Sequence, residues 1–454
     1  MQNNIIQKYN VPGPRYTSYP TVPYWDNSGF SAEKWETSFI KSFKESNGDE
    51  GISLYIHLPF CESMCTFCGC NKRVTRRHEV ETAYITAVLE EWGMYCDLLI
   101  EKPLIKELHL GGGTPTFFSP ENLEILINGI FDRAAKAQGY EFGFEGHPNN
   151  TTRQHLQTLY NLGFRRVSFG VQDYNETVQK AINRVQPFHN VAKVTFWARE
   201  IGYTSISHDL VFGLPFQTLE TITDTIEKTK SLNPDRLAFY SYAHVPWIKG
   251  NGQRGFDDSN LPKDEEKRAL YEVGKNLLTK KGFHEIGMDH FATTTDSLYH
   301  AYKNGTMHRN FMGYSSGKTQ LMIGLGVSSI SDSWYAFAQN EKTLEDYYNR
   351  IALGELPVFR GHLLTEEDLL IRKHILNLMC SFTTTWGAQQ GWFEEIPAVL
   401  ASLAEMEHDG LIELGKNRLT VTEKGKPFVR NICMAFDVRL KRKAPQTQLF
   451  SMVV

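Results

Sequence analysis

The stretch SLYIHLPFCESMCTFCGC, residues 53–70, joins a strand-like apolar run to four crowded cysteines. Cys61, Cys65, Cys68 and Cys70 make up four of the seven cysteines in the chain. Three thiolates on one short loop can hold three irons of a four-iron cluster and leave the fourth iron open. An open iron can bind a substrate or cofactor, so this loop predicts chemistry as well as structure.

A structural zinc site is the main alternative, because four cysteines can close a tetrahedral zinc centre. Zinc ribbons usually present two separated cysteine pairs, whereas here all four cysteines lie in one run. Cys68 and Cys70 flank a single glycine, and such neighbours rarely ligate one ion together with Cys61 and Cys65. The spacing therefore favours a three-cysteine cluster, with Cys70 either near the substrate or packed against the loop.

The composition is that of an ordinary globular enzyme. A length of 454 residues predicts two or three domains, and 41% hydrophobic and 22% charged residues are typical values. The formal net charge of -4 gives no global attraction to nucleic acid or to an acidic membrane. No apolar run suits a signal peptide or a membrane span. We expect a cytoplasmic monomer without disulfide bonds that binds neither nucleic acid nor membrane.

Strand-like runs and helical stretches alternate between residues 53 and 246. Such alternation favours an α/β fold with a parallel sheet and right-handed crossovers. Ser119 and Pro120 look like a helix N-cap followed by proline in the first turn, and Gly163 and Gly202 are expected to end helices. The predicted strands are SLYIHLPF (53–60), KELHLGGG (106–113), EFGFEGH (141–147), RRVSFGVQD (165–173), SISHDLVFGLP (205–215) and RLAFYSYAHVP (236–246).

Each predicted strand closes on polar or glycine residues. In barrel-like βα repeats the carboxyl ends of the strands converge on one mouth. Polar residues terminate many single strands, but six in succession favour a shared site. The closing residues are His57, the Gly111–Thr114 turn, Glu145, Gln172, Asp209 and the Tyr242–His244 segment.

Four regions are predicted along the chain. Toward the C-terminus, two helical stretches (Glu366–Met379 and Ile396–Asp409) precede a glycine-turned strand pair (410–425), which resembles a winged-helix layout. The acidic residues of this segment do not form a basic nucleic-acid surface, so we expect a packing or lid role. The regions are an N-terminal arm (1–45), a βα barrel (46–260), a connecting, substrate-covering region (261–362) and a helical domain (363–454).

The pattern Cys61-x3-Cys65-x-Phe67-Cys68 resembles the signature of the radical S-adenosylmethionine (SAM) family. In that family the fourth iron binds the amino and carboxylate groups of SAM. One electron from the cluster cleaves SAM, and the resulting 5′-deoxyadenosyl radical abstracts a hydrogen atom. Four further segments extend the resemblance to the oxygen-independent coproporphyrinogen III oxidases, also called coproporphyrinogen dehydrogenases, along nearly the whole chain: Arg15–Thr21, Gly69–Lys72, His308–Phe311 and Arg430–Cys433.

This resemblance implies a partial (β/α)6 TIM-like radical SAM barrel with an N-terminal arm and a mainly helical, winged-helix-like C-terminal domain. It implies an oxidoreductase of heme biosynthesis that converts two propionates of coproporphyrinogen III to vinyl groups, giving protoporphyrinogen IX. One [4Fe-4S] cluster on Cys61, Cys65 and Cys68 and two SAM molecules are expected. The electron donor would be a reduced protein such as flavodoxin or ferredoxin, and the electron acceptor is not identified.

The resemblance also implies a set of SAM contacts. Carboxylates can accept hydrogen bonds from ribose hydroxyls or from an ammonium group, and Arg184 can clamp a carboxylate. Met312 stands where the family has a glutamine near the second SAM, and methionine cannot donate an amide hydrogen bond. The implied SAM contacts are Tyr55, Phe67, Gly112, Gly113, Thr114, Glu145, Gln172, Arg184, Asp209, Ala243 and Ile330.

The substrate carries four propionates, so cationic side chains must line its pocket. The expected cations are Arg15, Lys72, Arg73 and Arg309, which lie in family-like segments. A heme chaperone of the same radical SAM subfamily is the nearest alternative, although such proteins usually lack Cys70 and the Arg15–Thr21 arm. A structural zinc protein with a winged-helix tail is the second alternative.

Overall fold

The computed structural model describes residues 2–247, 252–253, 255–387 and 391–453. Its α-helices are α1 (Gln2–Tyr9), α2 (Ala32–Ser46), α3 (Val80–Asp97), α4 (Pro120–Arg133), α5 (Arg153–Leu162), α6 (Glu176–Ala181), α7 (Phe188–Ile201), α8 (Leu219–Ser231), α9 (Asp264–Lys280), α10 (Ser297–Asn304), α11 (Leu344–Ala352), α12 (Glu366–Ser381), α13 (Ile396–His408), α14 (Val429–Phe436) and α15 (Val438–Arg442). Short 3-10 helices cover Val22–Tyr24, Pro115–Phe117, Asp258–Asn260 and Lys426–Phe428.

The strands in the described part of the chain form one large sheet and three small ones. They are β1 (Ile52–Leu58), β2 (Phe60–Cys61), β3 (Arg73–Val74), β4 (Leu104–Gly112), β5 (Ala135–Gly146), β6 (Arg166–Gln172), β7 (Ser205–Phe212), β8 (Arg236–Ser241), β9 (His284–Ile286), β10 (His290–Ala292), β11 (His308–Asn310), β12 (Gly313–Ser315), β13 (Met322–Leu325), β14 (Ile330–Asp332), β15 (Ala336–Asn340), β16 (Val358–Leu363), β17 (Thr383–Thr385), β18 (Ile412–Gly415) and β19 (Arg418–Val421).

Six strands of the large sheet, in the order β1-β4-β5-β6-β7-β8, pair in parallel. Helices connect these strands, as the alternation in the sequence predicts. The sheet continues beyond β1 through β13, β14, β15 and β16, and beyond β8 through β10 and β9. The ladder does not return to its first strand, so the α/β fold with an open, partial (β/α)6 barrel is confirmed.

The predicted strands are all present, with shifted ends. The first prediction, 53–60, divides into β1 and the short β2, because Pro59 has no amide hydrogen to continue the ladder. The third strand, β5, begins at Ala135, six residues before the predicted start. Ala135 and Lys136 pair with β4 before a register shift. Hydrogen bonds to the neighbouring strand therefore extend β5 into a stretch whose own sequence pattern is polar.

Local signals set the predicted helix ends. The Ser119 side chain accepts a hydrogen bond from the Asn122 amide, and Pro120 occupies the first turn of α4. Helices α5 and α7 end at Gly163 and Gly202, whose φ angles of 110° and 112° lie in the left-handed region. These predicted start and stop signals are confirmed.

Two large hydrophobic cores hold the chain together. The first packs α2, α3, α4 and α5 against the parallel strands around fully buried residues such as Trp35 and Trp92. The second lies among α12, α13 and α14 and takes in the arm residues Tyr9, Tyr16 and Tyr19. The N-terminal arm is therefore a packed element, because its aromatic side chains complete the C-terminal core.

Arg430 on α14 fixes both ends of the chain in this position. Its Nε donates to the Pro14 carbonyl at 2.8 Å, and its other nitrogens donate to the carbonyls of Gly13, Met452 and Val453. A buried guanidinium needs such acceptors to offset its desolvation.

The C-terminal region follows the predicted winged-helix order. Helix α12 is followed by β17, α13, β18 and β19, and the three strands form an antiparallel sheet. Buried Asp368 on α12 accepts hydrogen bonds from Arg439 and pairs with His362. Among the described helices, none is both long enough and apolar enough to cross a bilayer.

We predict that Ile56→Ala, in the centre of β1, lowers the free energy of unfolding by about 2–5 kcal/mol. Ile56 is fully buried, so truncation leaves a cavity between the sheet and its helices. Ile125→Ala is the matched control, because Ile125 is 56% exposed on α4. Urea unfolding monitored by circular dichroism measures both variants, and equal shifts of the midpoint would contradict the central role of β1.

Candidate functional site

The predicted site residues meet at the carboxyl ends of the parallel strands, where a cavity of about 430 Å³ opens. The three cysteines of the signature line this cavity together with eight of the eleven expected SAM contacts. These residues are Cys61, Cys65, Cys68, Phe67, Gly112, Gly113, Thr114, Glu145, Gln172, Arg184 and Asp209. Four of the six predicted strand-closing groups therefore line this cavity, whereas His57 lines a second cavity and Tyr242–His244 lines neither.

Hydrogen bonds hold the cysteine loop across the barrel rim. The Thr66 amide donates to the Ile182 carbonyl and its hydroxyl to the Ala181 carbonyl, both at 2.9 Å. Asn183 Nδ2 donates to the Met64 carbonyl at 2.7 Å. The loop leaves the barrel after β1 and is tied down beyond α6, so it forms a roof over the strand ends.

The three cysteine sulfurs are free thiols in different electrostatic environments. A hydrogen bond from Cys70 and the positive charges of Lys72 and Arg184 lower the pKa of Cys68, and a thiolate is the form that binds iron. Burial raises the pKa of Cys61. Within the described chain, no three His, Cys, Asp or Glu side chains converge closely enough to hold a single metal ion. A four-iron cluster takes each cysteine on a different iron, which fits this donor set.

The glycine turn after β4 brings two chain segments into close contact. The Gly113 amide donates to the Leu58 carbonyl at 2.8 Å, and a Cβ at Gly113 would lie 2.5 Å from the Pro59 oxygen. Only glycine fits this approach. The contact puts Thr114 Oγ1 3.3 Å from Cys61 Sγ, so the turn and the cysteine loop form one wall of the cavity.

Arg184 lies between the cysteine loop and β6. Its Nη2 donates to the Gly170 carbonyl at 2.6 Å, and its Nη1 lies 3.7 Å from Cys65 Sγ. Its guanidinium therefore presents positive charge to the cavity from a fixed position.

Asp209, three residues before the end of β7, is half-buried beside this cavity and accepts a hydrogen bond from Ser168 Oγ at 2.8 Å. Burial raises the pKa of Asp209 to about 7. Its carboxyl therefore changes charge near neutral pH.

A second cavity of about 780 Å³ adjoins the first, and Tyr55 and Ile330 line it together with Phe311 and Met312. The Tyr55 and Phe311 rings meet edge to face at 4.8 Å. The residues that line both cavities are Cys70, Lys72, Gly112 and Glu145.

His57, on β1, lines the second cavity and holds two neighbouring groups in place. Its Nδ1 lies 3.1 Å from the Tyr55 hydroxyl, and its Nε2 lies 3.0 Å from the Asn71 carbonyl. Burial lowers the pKa of His57, so the ring is neutral at pH 7 and orients both neighbours without adding charge.

One of the eleven expected SAM contacts, Ala243, lies outside these two cavities. The Ala243 carbonyl accepts a hydrogen bond from Gln253 Nε2, which also binds the Phe67 carbonyl, both at 3.0 Å. Ala243 is thus joined to the cysteine loop through Gln253.

Of the four expected substrate cations, Lys72 alone lines the two cavities. Arg15 donates to the Ser241 carbonyl at 2.7 Å beside the end of β8. Arg309 is buried and donates to the carbonyls of Tyr16 and Arg15. Arg73 is exposed, 3.8 Å from Glu345.

The structure adds residues that the sequence analysis did not select. Arg76 lines the first cavity and Lys342 the second, which gives each a further cation. The run Lys72–Arg77 directly after the cysteines could have indicated Arg76. No comparable signal marks Lys342 or Gln253, because long-range packing brings both to the site.

Comparisons with known proteins identify the family of the chain. The Radical SAM superfamily matches residues 55–229. The oxygen-independent coproporphyrinogen III oxidase of Escherichia coli (strain K12) is 37% identical over 458 residues, which cover 99% of this chain and 98% of that protein. The enzyme of the same name from Synechocystis sp. is 36% identical over 460 residues, covering 99% of this chain and 97% of that protein.

A solved structure supports the same relationship. Coproporphyrinogen III oxidase (HemN) from Escherichia coli, described as a radical SAM enzyme, matches with a TM-score of 0.87 at 36% identity. The match covers 93% of this chain and 97% of that chain. The chain therefore belongs to the oxygen-independent coproporphyrinogen III oxidase family of the radical SAM superfamily.

Proposed function

We propose that this chain catalyses the anaerobic oxidative decarboxylation of two propionates of coproporphyrinogen III to vinyl groups, giving protoporphyrinogen IX in heme biosynthesis. The observation that carries the proposal is the meeting of the three signature cysteines with Glu145, Arg184 and Asp209 at one barrel mouth. Full-length similarity to enzymes of this name supports the substrate assignment.

In this proposal Cys61, Cys65 and Cys68 hold one [4Fe-4S] cluster. When bound, the cluster and SAM together supply the 5′-deoxyadenosyl radical that removes a hydrogen atom from the propionate β-carbon. Arg184 clamps a carboxylate group of the bound SAM, and Asp209 and Glu145 accept hydrogen bonds from its hydroxyl or amino groups. The Gly112–Thr114 turn lets the ligand approach the backbone closely, and the Phe67 ring packs against it.

The second cavity supports a proposal of two SAM molecules. Tyr55 and Ile330 line that cavity beside the first one, and two decarboxylations need two radical events. Met312 offers packing in place of an amide hydrogen bond. The stoichiometry of SAM bound to cluster-loaded protein, measured by equilibrium dialysis, tests the number directly.

Substrate recognition is proposed to use Lys72, which lines both cavities and whose Nζ donates to the Cys68 and Cys70 carbonyls at 3.3 and 3.4 Å. Arg309 holds the N-terminal arm through the carbonyls of Tyr16 and Arg15, and Arg15 joins the arm to the Ser241 carbonyl. Ala243 positions the cysteine loop through Gln253. We further propose a monomer in the reducing cytoplasm that binds neither nucleic acid nor membrane. It would receive electrons from a carrier such as flavodoxin or ferredoxin and pass the substrate electron to an acceptor yet to be identified.

An anaerobic assay with coproporphyrinogen III, SAM and a reductant tests the proposal. Formation of protoporphyrinogen IX and CO2 supports it. Heme binding without turnover would favour the chaperone alternative. Metal and sulfide analysis that finds one zinc and no labile sulfide would favour the structural zinc protein.

We predict that Cys65→Ser abolishes SAM cleavage, because loss of one thiolate removes a cluster ligand. Cys96→Ser is the matched control, since Cys96 lies on α3 outside both cavities. Iron and sulfide content and 5′-deoxyadenosine formation should fall only in Cys65→Ser, and normal cleavage there would refute the ligand assignment.

Arg184→Ala should weaken SAM binding about tenfold or more, because it removes a charge-assisted hydrogen-bond donor. Arg199→Ala, on the outer helix α7, serves as the control. Titration calorimetry of cluster-loaded protein with SAM measures both variants. An unchanged affinity in Arg184→Ala would remove Arg184 from the site.

The raised pKa of Asp209, about 7, predicts that SAM binds more tightly as pH rises from 6 to 8. Above its pKa the carboxyl is ionised and accepts stronger hydrogen bonds, whereas below it the group is neutral. Asp209→Asn should flatten this pH dependence, and Asp224→Asn, at an exposed position on α8, should not. The same slope in Asp209→Asn and wild type would contradict the assignment.

A further inference from the structure

The segment that follows the cysteine loop is a compact basic surface. Residues 72–77, KRVTRR, carry four cationic side chains and no acidic one, in a chain whose formal net charge is -4. Arg73, Val74 and Arg77 are exposed and line neither cavity, and these three residues are called the basic patch below, whereas Arg76 is exposed but lines the first cavity. Positive charge is thus concentrated on one surface of an otherwise slightly acidic protein.

The basic patch is attached directly to the first cluster cysteine. In the parallel pair β2-β3, Cys61 lies opposite Val74 and Phe60 opposite Arg73. The Thr75 amide donates to the Cys61 carbonyl at 2.9 Å. Paired strands lie about 4.8 Å apart, so the backbone of the patch is one strand spacing away from that of Cys61.

The cations of the patch are largely free to meet a partner. Among the described residues, Arg73 has one distant acidic neighbour, Glu345 at 3.8 Å, and Arg77 forms no ion pair. Val74 is 45% exposed between them.

We infer that the basic patch is the docking surface for a small acidic protein that delivers single electrons to the cluster. The inference rests on the proposed function, since only a redox cluster needs such a donor. Opposite charges steer encounter and speed association at low ionic strength. The cavity side of the cysteine loop faces SAM in that proposal, which leaves the outer side for electron entry.

The test follows reduction of the cluster alone, without SAM or substrate. Cluster-loaded protein is mixed anaerobically in a stopped-flow instrument with reduced flavodoxin, an acidic carrier, or with reduced methyl viologen, a small monocation. In Arg77→Glu the rate with flavodoxin should fall at least about fivefold at low salt. The rate with viologen should not fall, because the basic patch repels rather than attracts this cation. Arg418→Glu, an exposed charge reversal on β19, should leave the flavodoxin rate unchanged.

Salt provides a second readout of the same complex. The wild-type flavodoxin rate should drop steeply as ionic strength rises, and the Arg77→Glu rate should respond less. A flavodoxin rate that is equal in Arg77→Glu and wild type would overturn the inference. An equal loss of the reduction rate with both reductants would also overturn it, because that result indicates cluster damage. A raised KM for coproporphyrinogen III with a normal rate of reduction by flavodoxin would overturn it as well, because that result indicates a surface that gathers substrate. If wild type shows no cluster bleaching by viologen, the proposed function itself fails, and the docking surface with it.

Discussion

The close approach of Gly113 to Pro59 is the constraint on which the site depends. With no Cβ, the turn after β4 reaches the chain just beyond β1 and bonds to the Leu58 carbonyl. Cys61 therefore starts its loop at the barrel rim, beside Thr114, instead of extending into solvent. The rest of the loop then crosses the strand ends and binds the carbonyls of Ala181 and Ile182 on the far side.

The barrel could be predicted from the sequence because its signals are local. Buried parallel strands are short apolar runs that end on polar residues, and caps such as Ser119 and Gly163 mark helix ends within a few positions. The strands that extend the sheet beyond β1, which are β13 to β16, have no such local signal. Strand β13 pairs with β1, although Met322 and Ser53 are far apart in the chain, and β14 has only three residues. Such strands form because a neighbouring strand supplies backbone hydrogen-bond partners, and no local sequence pattern encodes that pairing.

Some of the expected site residues could be predicted to lie together and others could not, for related physical reasons. Residues at strand ends, such as Gln172, meet at one mouth once the strands are parallel. Charged residues in loops carry no such restriction. Arg309 and Arg430 have the charge expected of carboxylate partners, yet each donates to backbone carbonyls of the N-terminal arm. The sequence cannot separate a guanidinium that holds backbone from one that faces a ligand, because both uses require the same donors.

A radical reaction places opposite demands on the loop that holds the cluster. Reactive intermediates must be shielded from water, whereas electrons must arrive from a partner at the surface. The loop from Cys61 to Cys70 meets both demands by having two distinct sides. Its inner side closes cavities that share Cys70, Lys72 and Glu145. Its outer side continues, through the pairing of Cys61 with Val74, into an exposed cationic strand. In the proposed function and docking, a roof one strand thick would separate the radical chemistry from its electron supply while keeping the two close together.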